Sequence, residues 1–299
     1  MRPIIVVLVL LAPTLASAEL RVFACEPEWA ALVDEIGAEH VETYSATTAL
    51  QDPHYIQARP SLIARVRRAD LVICSGAQLE IGWLPALLQK ANNRDVMPGT
   101  DGYMEASGWV LRLEATGNVD RARGDIHPLG NPHVQMNPHN VTAVARALAQ
   151  RLASIDIYNS DAYSNNLELF LEKWQAAIAD WEARAASLRG KRMITHHKSW
   201  VYLQDWLGLE AVANLEPVAG LPPTATHLSR LTKEFAGGVV DVIVRAPYQD
   251  ARASEWLSDR LGVDAIVLPL SVGGTAEAKD LITMFDDIID RLLRATDHA

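Results

Sequence analysis

Short β-rich runs alternate with helical patterns along most of this chain. Leu20–Cys25 (LRVFAC), Val41–Ser45 (VETYS) and Asp70–Ser75 (DLVICS) read as strands, with helical spacing over Glu28–Gly37 and Pro60–Arg68 between them. The theme returns later, with strands expected at Arg192–Thr195, Ala211–Asn214, Asp241–Arg245 and Ala265–Leu270. Strands that alternate with helices predict parallel sheets and the α/β class. Loops at the carboxyl ends of such strands are where ligands usually bind.

Between the two halves the pattern changes. Ser160–Arg189 contains neither proline nor glycine, and its apolar residues fall at Leu167, Phe170, Leu171, Trp174, Ile178, Trp181, Ala185 and Leu188. Spacing by threes and fours predicts one long amphipathic helix, ended by Gly190. From Leu167 to Leu188 it would run about 32 Å at 1.5 Å per residue. The expected organisation is an N-terminal α/β lobe over 19–155, a linking spine helix over 156–190 and a C-terminal α/β lobe over 191–299. A coiled-coil dimer helix is the rival, but about three heptads are too few to sustain it.

The first residues add a compartment. Arg2 precedes an unbroken apolar run from Ile4 to Ala12, and Ala16-Ser17-Ala18 supplies small residues for cleavage. That reads as a secretory signal peptide over residues 1–18, with a soluble, exported protein following. No cysteine follows the cleavage point, so no lipid anchor is expected there. The formal net charge is -10, and removing Arg2 makes it -11; an acidic exported chain is a poor partner for nucleic acid. The two cysteines, Cys25 and Cys74, end strand-like runs. In an oxidising compartment, neighbouring strands would let them form a disulfide; two buried thiols are the equal alternative.

Chemistry points to the nine histidines. His40, His139 and His298 read as solvated, and His227 as a cap or rim residue at the start of a helix. His54 lies in DPHYIQARPS, between a strand and the helix that Pro60 opens. His133 lies in GNPHVQMNP, where Gly130, Pro132 and Pro138 restrict the backbone. His197 follows the strand RMIT in MITHHKSWVYLQDWLGL. Each sits on a loop beside a helix start, and a lone loop histidine is more often solvated than a ligand. Three that converge would suit zinc, which takes nitrogen ligands near 2.0–2.1 Å.

The segments DPHYIQARPS, GNPHVQMNP, THHKSWVYLQDWLGL and LEPVAGLPPTATHLSRL, in that order, resemble the periplasmic metal-binding proteins of zinc and manganese uptake ABC transporters. This is the cluster A-I, TroA-like solute-binding family, and the likeness runs over nearly the whole mature chain. It implies two α/β lobes bridged by one long helix, with the metal between them. It also implies His54, His133 and His197 as the ligands, with His196 in a packing or supporting role and His127 on the rim as an accessory contact. The family's late aspartate is missing, since Leu268 and Pro269 stand in its place, and Ala246 replaces a neighbouring glutamate. The fourth position is then open to water, to Asp250 or Glu80, or to His127 as an accessory ligand. For Glu80 a capping role beside IGWLPALLQK is the simpler expectation. Losing a carboxylate tilts the expectation from manganese toward Zn2+. The long histidine-rich loop of some relatives is also absent, the corresponding stretch EATGNVDRARGDIHPLG being short.

The expected function is capture of zinc between the lobes and delivery to a membrane permease, by a monomer served by a periplasmic metallochaperone in some settings, without catalysis. Ligand histidines bind metal when neutral, so capture should weaken as pH falls through their range. The alternatives are a zinc hydrolase with an open coordination position, a manganese carrier, and a metal-dependent adhesin or zinc store. The chain has no HExxH, GxSxG or phosphate-binding glycine loop to support hydrolysis.

Overall fold

The computed structural model describes residues 19–115 and 127–297; the expected signal segment and His298 lie outside them. The N-terminal part runs β1 (Leu20–Ala24), α1 (Pro27–Gly37), β2 (Val41–Ser45), α2 (Pro60–Arg68), β3 (Leu71–Cys74), α3 (Leu84–Ala91) and β4 (Tyr103–Glu105). Then come α4 (Pro138–Ile155) and the long α5 (Ser160–Arg184). The C-terminal part adds β5 (Arg192–Thr195), α6 (Val201–Leu207), β6 (Glu210–Asn214), α7 (Ala225–Phe235), β7 (Val242–Arg245), α8 (Ala251–Leu261), β8 (Ala265–Val267) and α9 (Leu281–Thr296).

These strands make two four-stranded sheets with the same order, β2-β1-β3-β4 and β6-β5-β7-β8. Every pairing is parallel. Strands buried on both faces explain the near-continuous apolar runs: all four residues of β3 are buried. The expected α/β class and two-lobed architecture are what the chain adopts. In both sheets the order reverses at the first strand, which puts the crevice beyond the carboxyl ends of β1 and β5, where open α/β sheets bind ligands.

The spine differs in detail from its expected span. Its last turn tightens into a 3-10 turn over Ala185–Leu188, before Gly190 reverses the chain at φ +77°. Such tightening is a common way to satisfy the last carbonyls of a helix. The strand at Tyr103–Glu105 was not expected; three residues carry too little periodicity to read.

One continuous core cluster joins Trp29 of α1 and Val144 of α4 to Trp174 and Trp181 of α5, Met193 of β5 and Phe285 of α9. Trp174 stands at its centre, 5.2 Å from Trp181 and 5.6 Å from Phe285 between ring centroids, both in edge-to-face contact. Its indole N–H donates to the Pro138 carbonyl at 3.0 Å. The spine thereby holds the start of α4, just after the loop that carries His133. Cys25 lies one residue past β1 and Cys74 ends β3, its neighbour; their Cα atoms are 4.8 Å apart and the two are joined as a disulfide.

Truncating a large buried aromatic leaves a cavity and costs about 3–5 kcal/mol. Trp174→Ala should therefore lower the urea midpoint by an amount corresponding to that range. An unchanged midpoint would mean that the spine is not packed as described.

Candidate metal centre

Two of the histidine loops are built the same way. In Asp52-Pro53-His54 the aspartate side chain accepts the His54 backbone N–H at 3.0 Å. In Asn131-Pro132-His133 the asparagine oxygen accepts the His133 N–H at 3.1 Å. Each is an Asx turn, in which a short polar side chain replaces a backbone acceptor while proline fixes φ. Gly130 precedes the second at φ +114°, where an added Cβ would lie 2.7 Å from Arg112 Cβ. Asn131 Nδ2 also donates to the Lys198 carbonyl at 2.8 Å, which ties this loop to the one that follows β5.

His197 is placed by sheet register. Thr195 of β5 pairs with Asn214 of β6, so His197 and Glu216, each two residues further on, emerge side by side. The His197 Nδ1 to Glu216 Oε2 distance is 2.7 Å. His54 has an equivalent partner, with Nδ1 2.7 Å from Asp52 Oδ1. A carboxylate only accepts, so both rings carry their proton on Nδ1 and turn Nε2, with its lone pair, outward. Carboxylates that orient imidazoles in this way are the usual outer partners of metal-ligating histidines.

The three imidazoles meet. One ring nitrogen each from His54, His133 and His197 lies within 4.8 Å of the others, and all three residues are buried. Ring centroids are 5.8 Å apart for His54–His133, 5.5 Å for His54–His197 and 6.2 Å for His133–His197. Tetrahedral zinc with nitrogens at 2.0–2.1 Å separates its ligands by about 3.3 Å, so the set fits after a contraction of up to about 1.5 Å. His133 carries the strongest signal: it is 1% exposed, and neither ring nitrogen has a hydrogen-bond partner among the described residues. Burial, then the neighbouring His54, His197 and His127, holds it well below the ordinary histidine range. It is a neutral imidazole with unsatisfied nitrogens, a costly state unless something binds them. Burial alone would raise Asp52, but the hydrogen bond from the His54 ring outweighs it and holds Asp52 below the usual carboxylate range.

The remaining sequence candidates scatter. His127 is half-buried, with Nε2 3.2 Å from His54 Nε2. His196 lines the outer cleft with its Nε2 4.0 Å from Glu216 Oε1. Asp250 does not join the cluster: it caps α8, pairs with Arg252 and is exposed. Glu80 neither faces the cleft nor caps α3. It is buried beside the Cys25–Cys74 disulfide and takes the Gly76 N–H at 3.2 Å. Once bonded, those sulfurs are not thiolates, so this second grouping offers no thiolate ligands. His139 is exposed and contacts Glu182 at 2.9 Å, and His227 Nε2 donates to the Asn214 carbonyl at 2.9 Å. Asp52 and Glu216 were the residues missed as participants; the signals were a carboxylate in the same proline turn and a glutamate in register with His197.

A two-lobed α/β protein with a buried imidazole cluster between its sheets defines a metal-binding protein of the solute-binding class. Residues 22–295 match the family model described as zinc-uptake complex component A, periplasmic (ZnuA), and the chain belongs to that family. Among curated relatives, the metal ABC transporter substrate-binding lipoprotein ScbA of Streptococcus cristatus is 27% identical over 183 residues, covering 60% of this chain and 56% of its own length. The manganese ABC transporter substrate-binding lipoprotein PsaA of Streptococcus pneumoniae is 28% identical over 177 residues, covering 57% and 52%. The chain thus spans about half the length of the curated relatives it matches. A crystal structure of ZnuA has the same fold, with a TM-score of 0.77 at 20% identity, covering 93% of this chain and 99% of that one. Zn(II)-bound AdcA from Streptococcus pneumoniae superposes with a TM-score of 0.73 at 20% identity, covering 94% of this chain and 58% of its own. Among the described residues, no helix is long and apolar enough to cross a membrane.

Burial raises Glu80 to about 7, and burial with the charges of Glu80 and Glu28 holds Glu26 well above the usual range. A carboxyl raised in the folded state binds protons more tightly there than in the unfolded chain. Its cost is absent below the unfolded value, near 4.3, and complete above the folded one, so stability falls as pH rises through that window. Glu80→Gln, which keeps an acceptor for Gly76, should raise the melting temperature at pH 8 more than at pH 4.5. An equal effect at both would contradict the buried-carboxyl account.

Proposed function

We propose that this protein captures Zn2+ from the periplasm with His54, His133 and His197 and hands it to the permease of an ABC transporter. The observation that carries this reading is His133, buried with both ring nitrogens unpartnered among the described residues, at the point where two carboxylate-oriented imidazoles converge. Zinc is preferred over manganese because the converging atoms are nitrogens. The nearest carboxylates, Asp52 and Glu216, already bond to imidazole Nδ1 atoms. Manganese favours oxygen donors, whereas imidazole suits zinc. The relatives named for manganese and the neighbours named for zinc are both compatible with metal uptake, and the nitrogen donors favour zinc. The same two carboxylates supply two negative charges around a dication, so its capture leaves little uncompensated charge in a buried place. Being committed to orienting rings, they are also poor general bases, which favours capture over hydrolysis.

Calorimetric titration of chelator-stripped protein should find one tight zinc site that excess manganese does not empty. Loss of an orienting partner typically costs roughly 10–100-fold in affinity. Glu216→Ala should fall in that range, and His133→Ala should cost more. Zinc binding unchanged in His54→Ala, His133→Ala and His197→Ala would overturn the proposal.

A further inference from the structure

His54 and His197 each give Nδ1–H to a carboxylate, whereas the His133 ring bonds to none of the described residues. His133 borders two spaces. One is a cavity of about 360 Å³ that it shares with His197. The other, of about 20 Å³, it shares with Glu26, Gln135 and Leu270. Three residues with polar atoms unpartnered among the described residues meet at this small space: Glu26 through Oε1, Gln135 through Oε1, and His133 through its ring nitrogens. They are 3%, 2% and 1% exposed.

The bonds these residues do make set what they offer the cavity. Gln135 Nε2 donates to the Leu270 carbonyl at 3.3 Å; a carbonyl only accepts, so the amide nitrogen faces it and Oε1 is left over. Glu26 Oε2 takes the Ser75 N–H at 3.2 Å, which leaves Oε1. A neutral imidazole that keeps one lone pair for a metal carries its N–H on the other nitrogen. One donor and two acceptors therefore share the space, and none bonds to another. A buried water needs roughly 10–15 Å³ and typically makes about three hydrogen bonds. The volume admits one water, and the walls supply three partners.

We propose that this cavity binds one structural water that takes the His133 ring N–H and donates to Gln135 Oε1 and Glu26 Oε1; this rests on the three-histidine reading above. Gln135 and Glu26 are then positioning residues for the third imidazole. They fix its tautomer and turn its lone pair toward His54 and His197, as Asp52 and Glu216 do directly for those two rings. Metal-ligating histidines give their second N–H to a carboxylate, a carbonyl or a water, and such partners raise ligand basicity. Here the carboxylate is reached through the water. The support comes from both lobes: Glu26 stands between β1 and α1, and Gln135 is tied to Leu270, beyond β8.

The test follows the His133 ring in the zinc-loaded protein by proton–nitrogen correlation spectra, alongside zinc competition against a chelator. Wild type should show one metal-bound ring nitrogen and one protonated nitrogen on His133. That proton should be protected from exchange and in magnetisation contact with a long-lived buried water. Gln135→Leu removes an acceptor at similar size. It should lose the water contact, speed exchange of the ring proton and weaken zinc binding roughly 10–100-fold. Glu26→Gln keeps an oxygen acceptor and should retain both the water and near-wild-type affinity. A His133 ring proton in contact with no water in wild type would overturn the proposal, whatever the variants do. Weaker zinc binding in Gln135→Leu with the His133 spectrum unchanged would mark a merely structural residue and overturn it as well, as would affinity and spectrum both unchanged. In each of those cases His133→Ala should still abolish binding; if it bound zinc normally, the three-histidine reading would fail too.

Discussion

Two short hydrogen bonds organise this molecule's chemistry, His54 Nδ1 to Asp52 and His197 Nδ1 to Glu216, both at 2.7 Å. Each fixes a tautomer and aims one Nε2 at a common point. Without them the rings would rotate freely, and their convergence would be a matter of chance. The two are made by different means. Asp52 acts through a local turn that also takes the His54 N–H, whereas Glu216 acts through the parallel register of β5 and β6. Among the described residues His133 has no such partner, and its orientation comes from its backbone: the Asn131 turn, Gly130 and the bond from Asn131 to Lys198.

The scaffold serves that geometry. Two sheets of the same strand order face their carboxyl ends toward one crevice, and α5 packs against elements of both through Trp174 and Trp181, which meet Phe285 of α9. Because the core is continuous from α1 through α5 to α9, moving one lobe against the other would disturb edge-to-face aromatic contacts in a close-packed interior. The small contraction that a tetrahedral metal ion would require is more easily met by the loops of His54 and His197 than by the core. A cleft of about 850 Å³ beside these two residues opens the site to solvent along one side.

Much of this was legible in the sequence, and the failures have physical causes. Strand–helix alternation identified both sheets because parallel strands are buried on both faces, and the apolar stripe of the spine identified α5. The Asx-Pro-His triplet was informative but degenerate. It occurs at 52–54, 131–133 and 137–139, and the third instance is the N-cap of α4, with His139 exposed against Glu182. Local chemistry builds the same turn each time, and only tertiary packing decides which ring is buried. Glu80 was misplaced for a related reason: a carboxylate just past a strand looks like a cap or a cleft residue, while the chain turns it inward onto the disulfide. Glu216 was passed over because its role depends on register between strands, which no local pattern encodes.

The most direct test of the account is anomalous diffraction at the zinc edge from crystals of the zinc-loaded protein. One strong peak about 2.0–2.1 Å from single nitrogens of His54, His133 and His197 is expected. A peak elsewhere, at the Asp250–His196 wall of the outer cleft or beside Glu80, would contradict it.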